Sequence, residues 1–215
     1  MSPITASIDS MKTQKYVSPY LPAVFILSLL PSISFGFEWH GVFNIGHDFG
    51  GESVAKLDFE GGGTAKLKAD EGLYLDIGYL VPFNQTFGRS LEWLTTVGIK
   101  VGEETASNGA LKWKSIPVRT TLLARLGNYR LGGGLVYHTR SKSEATGAAG
   151  DYEIDFDEAL GYELQIAYAP YHFTYSASGY QLGIRHTITD FETTIEGQSL
   201  SLDGSTTAVF MGYVF

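Results

Sequence analysis

The chain of 215 residues has no cysteine, so no disulfide supports its fold and no thiolate takes part in its chemistry. Basic residues are few: 15 Lys and Arg stand against 23 Asp and Glu, and the formal net charge is −8. That balance argues against a nucleic-acid-binding protein, which carries basic patches. After residue 36 the chain also lacks any apolar run near the ~20 residues that a membrane-spanning helix needs. The absence of such a run does not exclude a protein that crosses a membrane with β-strands, because the side chains of such strands alternate in polarity.

The first 36 residues have the layout of a secretory signal peptide. A basic region follows Met11, residues 23–30 form a short apolar core, and small residues precede a predicted cut between Gly36 and Phe37. A transmembrane anchor is the alternative, but this core is far shorter than the ~20 residues an anchor needs. We therefore expect residues 1–36 to be removed, with Met11 as the favoured start, and residues 37–215 to form one domain.

Eight later segments alternate between apolar and polar side chains with a period of two, which predicts β-strands. The alternation is clearest over 91–101, where Leu91, Trp93 and Val97 lie on one face and Glu92 and Lys100 on the other. Each segment has about the ten residues that cross a bilayer core at a tilt of ~45°. The predicted strands are 38–48, 72–83, 91–101, 114–126, 129–139, 160–169, 178–188 and 207–215.

The connections between these segments are alternately long and short, as in up-and-down membrane barrels. The long ones are 50–71, 102–112, 140–158 and 189–204, and the short ones are 84–90, 127–128 and 170–172. Within the first long connection, 54–59 and 64–69 resemble a hairpin that is too short to cross. We interpret it as an extension of the first two strands, with a ten-stranded barrel as the alternative. Residues 151–157 also alternate and are expected to extend the sixth strand.

The last strand ends in Tyr213, Val214 and Phe215, with large apolar side chains on one face. A terminal strand that ends in Phe resembles the closing strand of bacterial outer-membrane β-barrels, and the whole domain resembles the OmpA-like transmembrane barrel. The resemblance implies an all-β fold, an eight-stranded antiparallel up-and-down transmembrane β-barrel in the bacterial outer membrane. It also implies that the barrel-assembly machinery reads Tyr213 and Phe215, and that outer-membrane lipid and lipopolysaccharide surround the domain. The connection lengths then place both termini in the periplasm and four long loops outside the cell.

A soluble eight-stranded barrel with an apolar interior is the alternative. The apolar faces of the segments carry no charged residue, and a Lys or Arg there would cost roughly 2–4 kcal/mol at the bilayer midplane. Glycines and other small residues occupy the polar faces, which suits a narrow interior. Aromatic residues lie near segment ends, as in interfacial girdles: Trp39, Tyr79, Trp93, Tyr137, Tyr168, Tyr213 and Phe215. The pattern favours an apolar face toward lipid.

The polar faces then point inward and bring charges of both signs together. The predicted interior network comprises Asp76, Glu92, Lys100, Arg119, Arg125, Arg130, Glu163 and Arg185. Strand direction places Glu92, Arg125 and Arg130 toward the periplasm, Arg119 and Glu163 near the middle, and Asp76, Lys100 and Arg185 toward the outside. Eight strands leave room only for side chains or one small ligand. We favour a packed ionic interior over a narrow pore.

The four long connections are acidic: seventeen Asp and Glu stand against six Lys and Arg. Such a surface is either simply solvated or binds divalent cations near lipopolysaccharide, because hard cations prefer carboxylate oxygens. The candidate cation-binding loop contains Asp151, Glu153, Asp155 and Asp157.

Some small outer-membrane barrels are enzymes, and the lipid A deacylase family uses a His and a Ser two residues apart on one strand. The chain has no His-x-Ser. His186 is expected at the outer rim, facing lipid, beside Thr207 and near Glu192, whereas His138 is expected to face the interior. No phosphate loop or metal-ligand spacing stands out, so we predict no catalytic residue, metal or cofactor. The favoured function is a non-enzymatic barrel whose loops interact with the envelope surface, a host or a ligand. A narrow pore or carrier for small solutes is the first alternative, and a lipid-modifying enzyme is the second.

Overall fold

The computed structural model describes residues 38–58, 64–86, 89–106, 109–147, 152–170, 178–195 and 198–215. The predicted signal peptide lies outside these ranges. The strands are β1 (His40–Gly50), β2 (Ser53–Asp58), β3 (Thr64–Lys68), β4 (Gly72–Thr86), β5 (Arg89–Ala106), β6 (Gly109–Leu126), β7 (Tyr129–Gly147), β8 (Tyr152–Phe156), β9 (Ala159–Tyr168), β10 (Gly179–Ile188), β11 (Asp190–Ile195), β12 (Gln198–Asp203) and β13 (Thr206–Val214). None of the described segments forms a helix long and apolar enough to cross a membrane.

Eight of these strands form a closed antiparallel barrel. Their order is β6-β5-β4-β1-β13-β10-β9-β7, and pairing of β6 with β7 completes the circle. The last strand lies between β1 and β10, and backbone hydrogen bonds of 2.7 and 2.9 Å join Gly41 to Phe215. Each predicted crossing segment corresponds to one barrel strand, so the prediction of an eight-stranded antiparallel barrel is confirmed.

The remaining strands lie at the end of the barrel that carries the long connections, which we call the outer end; the other is the inner end. Strands β2 and β3 form a separate two-stranded sheet, so the ten-stranded alternative is wrong. Strand β8 pairs with the outer part of β7, as expected for an extension of the sixth crossing strand. Strands β11 and β12 form a hairpin within 189–204, a segment predicted only as a loop.

Apolar side chains face outward from the barrel and charged ones face inward. Ile77, Leu131 and Leu164 are 53%, 55% and 64% exposed, whereas Glu92 and Arg130 are fully buried. Strand β9 alternates buried and exposed residues without interruption. The soluble alternative, with an apolar interior, is therefore wrong. The prediction that the apolar faces point outward and the polar faces point inward is confirmed.

Strands β5, β6 and β7 are much longer than predicted, at 18, 18 and 19 residues. Their outer parts carry charged side chains on the exterior. Lys112 pairs with Glu103 at 3.2 Å and Lys114 with Glu144 at 2.7 Å, all of them exposed or half-buried. The exterior thus changes from apolar to charged along a single strand, as expected where a strand leaves lipid for water.

Candidate functional site

All eight predicted interior charges are buried, and they lie in layers stacked along the barrel axis. The inner ionic layer centres on Glu92. Arg130 Nε lies 2.5 Å from one carboxylate oxygen of Glu92, and Arg125 lies 3.6 Å from the other. Arg130 also donates to Gln181 Oε1 at 2.8 Å, and Gln181 Nε2 donates to Asn44 Oδ1 at 2.8 Å. These contacts tie β1, β5, β6, β7 and β10 together across the interior.

A set of apolar side chains, which we call the inner apolar layer, adjoins this charge cluster. Small and medium apolar side chains from six parts of the wall meet there: Val42, Leu80, Leu94, Leu123, Ala169 and Val214. Every one of them is at most 5% exposed. Along their strands, Val42 lies nearer the inner end than Asn44, whereas Leu94 lies nearer the outer end than Glu92. The apolar side chains therefore flank the inner ionic layer in both directions along the strands.

The middle ionic layer contains two arginines and two carboxylates. Asp76 accepts from Arg119 at 2.8 Å and from Arg185 at 3.3 Å, and Glu163 lies 3.4 Å from Arg119. The guanidinium of Arg185 also lies 4.6 Å from the centre of the Tyr74 ring, within the range of a cation–π contact. The layer is electrically balanced. Asp76 and Arg185, predicted nearer the outside than Arg119, belong to the same layer as Arg119.

A glycine makes room for this layer in the barrel wall. Gly98 lies opposite Asp76 in the register of β4 and β5. A Cβ at Gly98 would come within 2.0 Å of Asp76 Oδ1, so any side chain there would displace the carboxylate. This close approach explains why a glycine stands at this inward position of β5.

The outer ionic layer contains two carboxylates that were not predicted in the interior. Lys100 Nζ lies 3.0 Å from Asp48 and 2.6 Å from Asp70, and all three side chains are at most 1% exposed. Asp48 has the inward parity of β1, so its position could have been read from the alternation. Asp70 lies in the turn between β3 and β4 with a φ of 57°. Its burial could not be predicted from the alternation, because the turn lies outside the alternating segments. Burial raises the pKa of the Asp70 carboxyl to about 6, with Lys100 opposing and Asp48 reinforcing that rise.

Ser115, His138 and Asp70 meet at this level, but their geometry differs from that of a Ser-His-Asp triad. Ser115 Oγ lies 2.8 Å from His138 Nδ1, and Asp70 Oδ1 lies 3.8 Å from the same nitrogen. In a Ser-His-Asp triad the hydroxyl and the carboxylate contact opposite ring nitrogens. His138 is also fully buried, with the ring of Phe191 packed edge-on at 5.0 Å.

An aromatic cap, formed by Trp113, Phe156 and Phe191, covers the outer ionic layer. The ring of Trp113 lies 5.1 Å from that of Phe156 and 5.2 Å from that of Phe191, and all three are buried. The surrounding apolar side chains come from the outer end as well: Ala69, Leu111, Ala145, Ala159 and Leu202. The sequence did not predict the cap, because Phe156 and Phe191 lie in segments interpreted as polar connections and Trp113 lies between such a segment and a predicted strand.

The remaining predicted residues lie on the exterior. His186 Nδ1 lies 3.0 Å from Thr207 Oγ1 on the exposed surface, and in the described part of the chain no carboxylate contacts this histidine. Glu153 and Asp155 both pair with Lys142, the latter at 3.2 Å.

The cation-binding loop stays a prediction, with Lys142 already present as a competing cation. Asp151 falls outside the described ranges. Across those ranges, no group of three or more His, Asp or Glu is arranged to hold a metal ion.

No protein-family model matches the chain, and no curated protein matches it. Among solved structures, the attachment invasion locus protein Ail of Yersinia pestis, in complex with the heparin analogue sucrose octasulfate, is 13% identical. That match covers 83% of this chain and 99% of that one, with a TM-score of 0.49. Neisserial surface protein A is 13% identical over 82% of this chain and 95% of its own, with a TM-score of 0.48. The outer membrane protein OprG from Pseudomonas aeruginosa is 10% identical over 83% and 97%, with a TM-score of 0.34.

These similarities are too low to carry a functional argument, and the fold rests on the barrel itself. Eight antiparallel strands close into a ring with apolar side chains outside and charged side chains inside. The chain therefore has the architecture of the small outer-membrane β-barrels.

Proposed function

We propose that the protein is a non-enzymatic barrel of the bacterial outer membrane whose interior is closed and whose acidic outer end binds partners at the envelope surface. The observation that carries the proposal is the filling of the interior. The inner apolar layer, the three ionic layers and the aromatic cap together fill the interior from the inner end to the outer end.

The exterior supports the placement in a membrane. Outward-facing aliphatic side chains form a belt, and aromatic side chains lie at its inner edge. Tyr129 and Tyr168 pack with ring centres 5.5 Å apart, and Tyr180 and Tyr213 with ring centres 4.9 Å apart. Phe215 stacks next to Tyr213 and is 62% exposed, which leaves its ring open to the assembly machinery that would read it.

The ionic layers favour a structural role over a conducting one. A barrel of eight strands encloses little more than its own side chains. The buried charges are bound to one another at short distances, and removing one partner of a buried pair typically costs 3–5 kcal/mol. An ion that entered the interior would have to break such pairs. We expect purified protein in planar bilayers to give no stable current, and a reproducible single-channel conductance would contradict the closed interior.

The outer end offers a concentration of exposed carboxylates. Glu103, Glu104, Asp157 and Glu192 are all exposed. Such a surface attracts cationic partners at long range. Proteoliposomes should therefore bind fluorescent polylysine. Changing Glu103 and Glu104 to Gln should weaken that binding, whereas Leu164→Ala in the lipid belt should leave it unchanged. Equal binding by all three proteins would count against the acidic surface as the binding element.

The absence of lipid A chemistry is part of the same proposal. Mass spectra of lipid A from cells with and without the protein should be identical. A change in acylation that requires His138 or His186 would overturn the non-enzymatic assignment.

A further inference from the structure

Strands β1 and β13 close the barrel. Every other barrel pair joins strands that follow one another among the eight, whereas β1 and β13 are the first and the last of them. Their pairing, which we call the closing seam, runs from Gly50 opposite Thr206 down to Val42 opposite Val214. In a hairpin the connecting turn fixes the register of the two strands, but no turn joins β1 to β13. The register of the closing seam is therefore left to contacts between the strands.

The alternation of apolar and polar side chains determines this register only in part. A slip of β13 by one residue would turn each of its side chains to the wrong face of the wall. A slip by two residues, in either direction, keeps apolar side chains outside and polar side chains inside. Polarity alone therefore does not distinguish the observed register from these two alternatives.

The ring of Phe215 lies over Gly41 on the exterior side of the closing seam. The two residues exchange backbone hydrogen bonds of 2.7 and 2.9 Å, so they continue the ladder one step beyond Val42 and Val214. Gly41 has the same parity as the exposed Phe43, yet it is buried. A Cβ at Gly41 would lie 2.4 Å from Cε2 of the Phe215 ring. The ring therefore occupies the space that a side chain at Gly41 would need.

The same arrangement recurs inside the barrel, where β13 pairs with β10. Phe210 lies opposite Gly183, and a Cβ at Gly183 would come within 2.5 Å of the Phe210 ring. Across the closing seam Phe210 lies opposite Gly46, where a Cβ would come within 2.7 Å of the Tyr74 ring of β4. Rings and glycines thus alternate in one row across four neighbouring strands. A ring that covers a glycine of the next strand helps to fix the register of the pair.

A slip by two residues would bring both rings against other side chains. If β13 moved toward the outer end, Phe215 would meet Phe43 in place of Gly41. If it moved toward the inner end, Phe215 would meet Trp39. The ring of Phe210 would meet a long side chain of the ionic layers in place of Gly183, in the two directions Arg185 and Gln181. Only the observed register gives each ring a glycine to cover.

We propose that Phe215 and Phe210 fix the register in which β13 closes the barrel, Phe215 against β1 and Phe210 against β10. An uncovered glycine weakens a strand, so each glycine contributes only together with its ring. Phe215, which the sequence predicted only as a signal for the assembly machinery, thereby also acts in the finished barrel. The proposal concerns folding and is independent of whether the interior conducts or the outer end binds partners.

Pairs of introduced cysteines read the register directly, because the chain has no cysteine of its own. Ile45 lies opposite Met211 on the exterior, so Ile45→Cys with Met211→Cys should form a disulfide in the observed register. Ile45→Cys with Val209→Cys reports a slip toward the inner end, and His47→Cys with Met211→Cys reports a slip toward the outer end. In the observed register these two pairs are diagonal neighbours ~7–8 Å apart, which is too far for a disulfide.

The protein with one cysteine pair at a time is refolded from urea into lipid vesicles and oxidised. Disulfides are then scored only in the gel band that shifts on heating, which contains the folded barrel. The wild type should form the in-register disulfide and almost none of the slipped ones. Slipped disulfides as abundant in the wild type as the in-register one would overturn the proposal.

Gly41→Val fills the place of the ring while leaving Phe215 intact. It should lower the in-register disulfide and raise at least one slipped disulfide about fivefold or more over the wild type. The matched control is Gly133→Val on the exterior of β7, where a Cβ would meet the carbonyl oxygen of Glu163 and a methyl group of Leu164, each at 3.1 Å. The control should give the wild-type pattern. Equal patterns in the two valine variants would overturn the proposal.

Phe215→Ala tests the same contact without crowding the seam, because it shortens an exposed side chain. It should also raise the slipped disulfides, and adding Gly41→Val should then change little, since the ring that a valine displaces is gone. Phe210→Leu, which keeps an apolar side chain but no ring opposite Gly183, should increase slipping further. Additive effects of Gly41→Val and Phe215→Ala, or an intact register in Phe215→Ala with Phe210→Leu, would overturn the proposal.

Discussion

At the scale of single residues, charge balance differs between the ionic layers. The middle ionic layer has two arginines facing Asp76 and Glu163, whereas the outer ionic layer has only Lys100 facing Asp48 and Asp70. One buried cation cannot fully neutralise the charges of two carboxylates. The outer layer is therefore the part of the interior where protonation matters most.

Asp70 should make the stability of the barrel depend on pH. Its pKa is raised from 3.8 to about 6 in the folded protein, so the fold prefers the protonated carboxyl. Its contribution to the free energy of unfolding is complete below about pH 4 and is lost as the pH rises through 6, by up to ~3 kcal/mol. Urea unfolding from lipid vesicles should show this loss in the wild type and a smaller one in Asp70→Asn. Identical pH profiles would contradict the assignment to Asp70.

Asp76 should be among the most sensitive positions of the interior. Asp76→Asn leaves Arg119 and Arg185 facing only Glu163, and loss of one partner from a buried network costs roughly 3–5 kcal/mol. Lys114→Met, which breaks an exposed pair with Glu144, should cost at most ~1 kcal/mol. The measurement is the urea unfolding midpoint of both variants in the same vesicles. Similar losses of stability in the two variants would show that the buried ion pairs contribute no more to stability than the exposed pair.

At the scale of elements, the barrel strands were predictable and the hairpin of β11 and β12 was not. A crossing strand alternates over about ten residues because lipid lies on one side and charge on the other. The hairpin buries only Phe191, Thr193 and Leu202 among its described side chains, which is too few for a clear period. The pairing of Lys100 with Asp70 was equally hidden, because it joins a strand to a turn 30 residues away.

Phe191 should decide whether this hairpin stays folded onto the barrel. Its ring packs against Trp113, Phe156 and His138, so Phe191→Ala removes the centre of the aromatic cap, a loss of about 3–5 kcal/mol. Amide hydrogen exchange should accelerate in β11 and β12, while β13 keeps its protection because it pairs with β1 and β10. Leu200→Ala, on the exposed side of β12, is the control. Unchanged exchange in Phe191→Ala would mean that the hairpin is held by other contacts.

At the scale of the whole molecule, closure is distributed over several levels. The aromatic cap seals the outer end, but the ionic layers and the inner apolar layer lie below it. If the interior is closed as proposed, we expect no single level to be required to keep it shut. Because the levels below the cap also fill the interior, we do not expect the cap to act as a gate.

Removing the cap should therefore leave the barrel non-conducting. The double variant Trp113→Ala with Phe191→Ala empties the cap but keeps Asp76, Arg119 and Glu92 in place. Planar bilayers with this variant should show no more current than with the wild type. A stable conductance that appears only in the variant would identify the cap as the barrier, and the ionic layers as permeable.

The great length of β7 sets the height at which the outer end meets other molecules. Ten residues follow Tyr137 before the strand ends at Gly147, which is about 33 Å of extended chain and ~23 Å of height at a tilt of 45°. In the proposed orientation, that height carries the strand tips clear of the lipid belt. The exposed carboxylates at the strand tips would then meet molecules that approach from outside the cell.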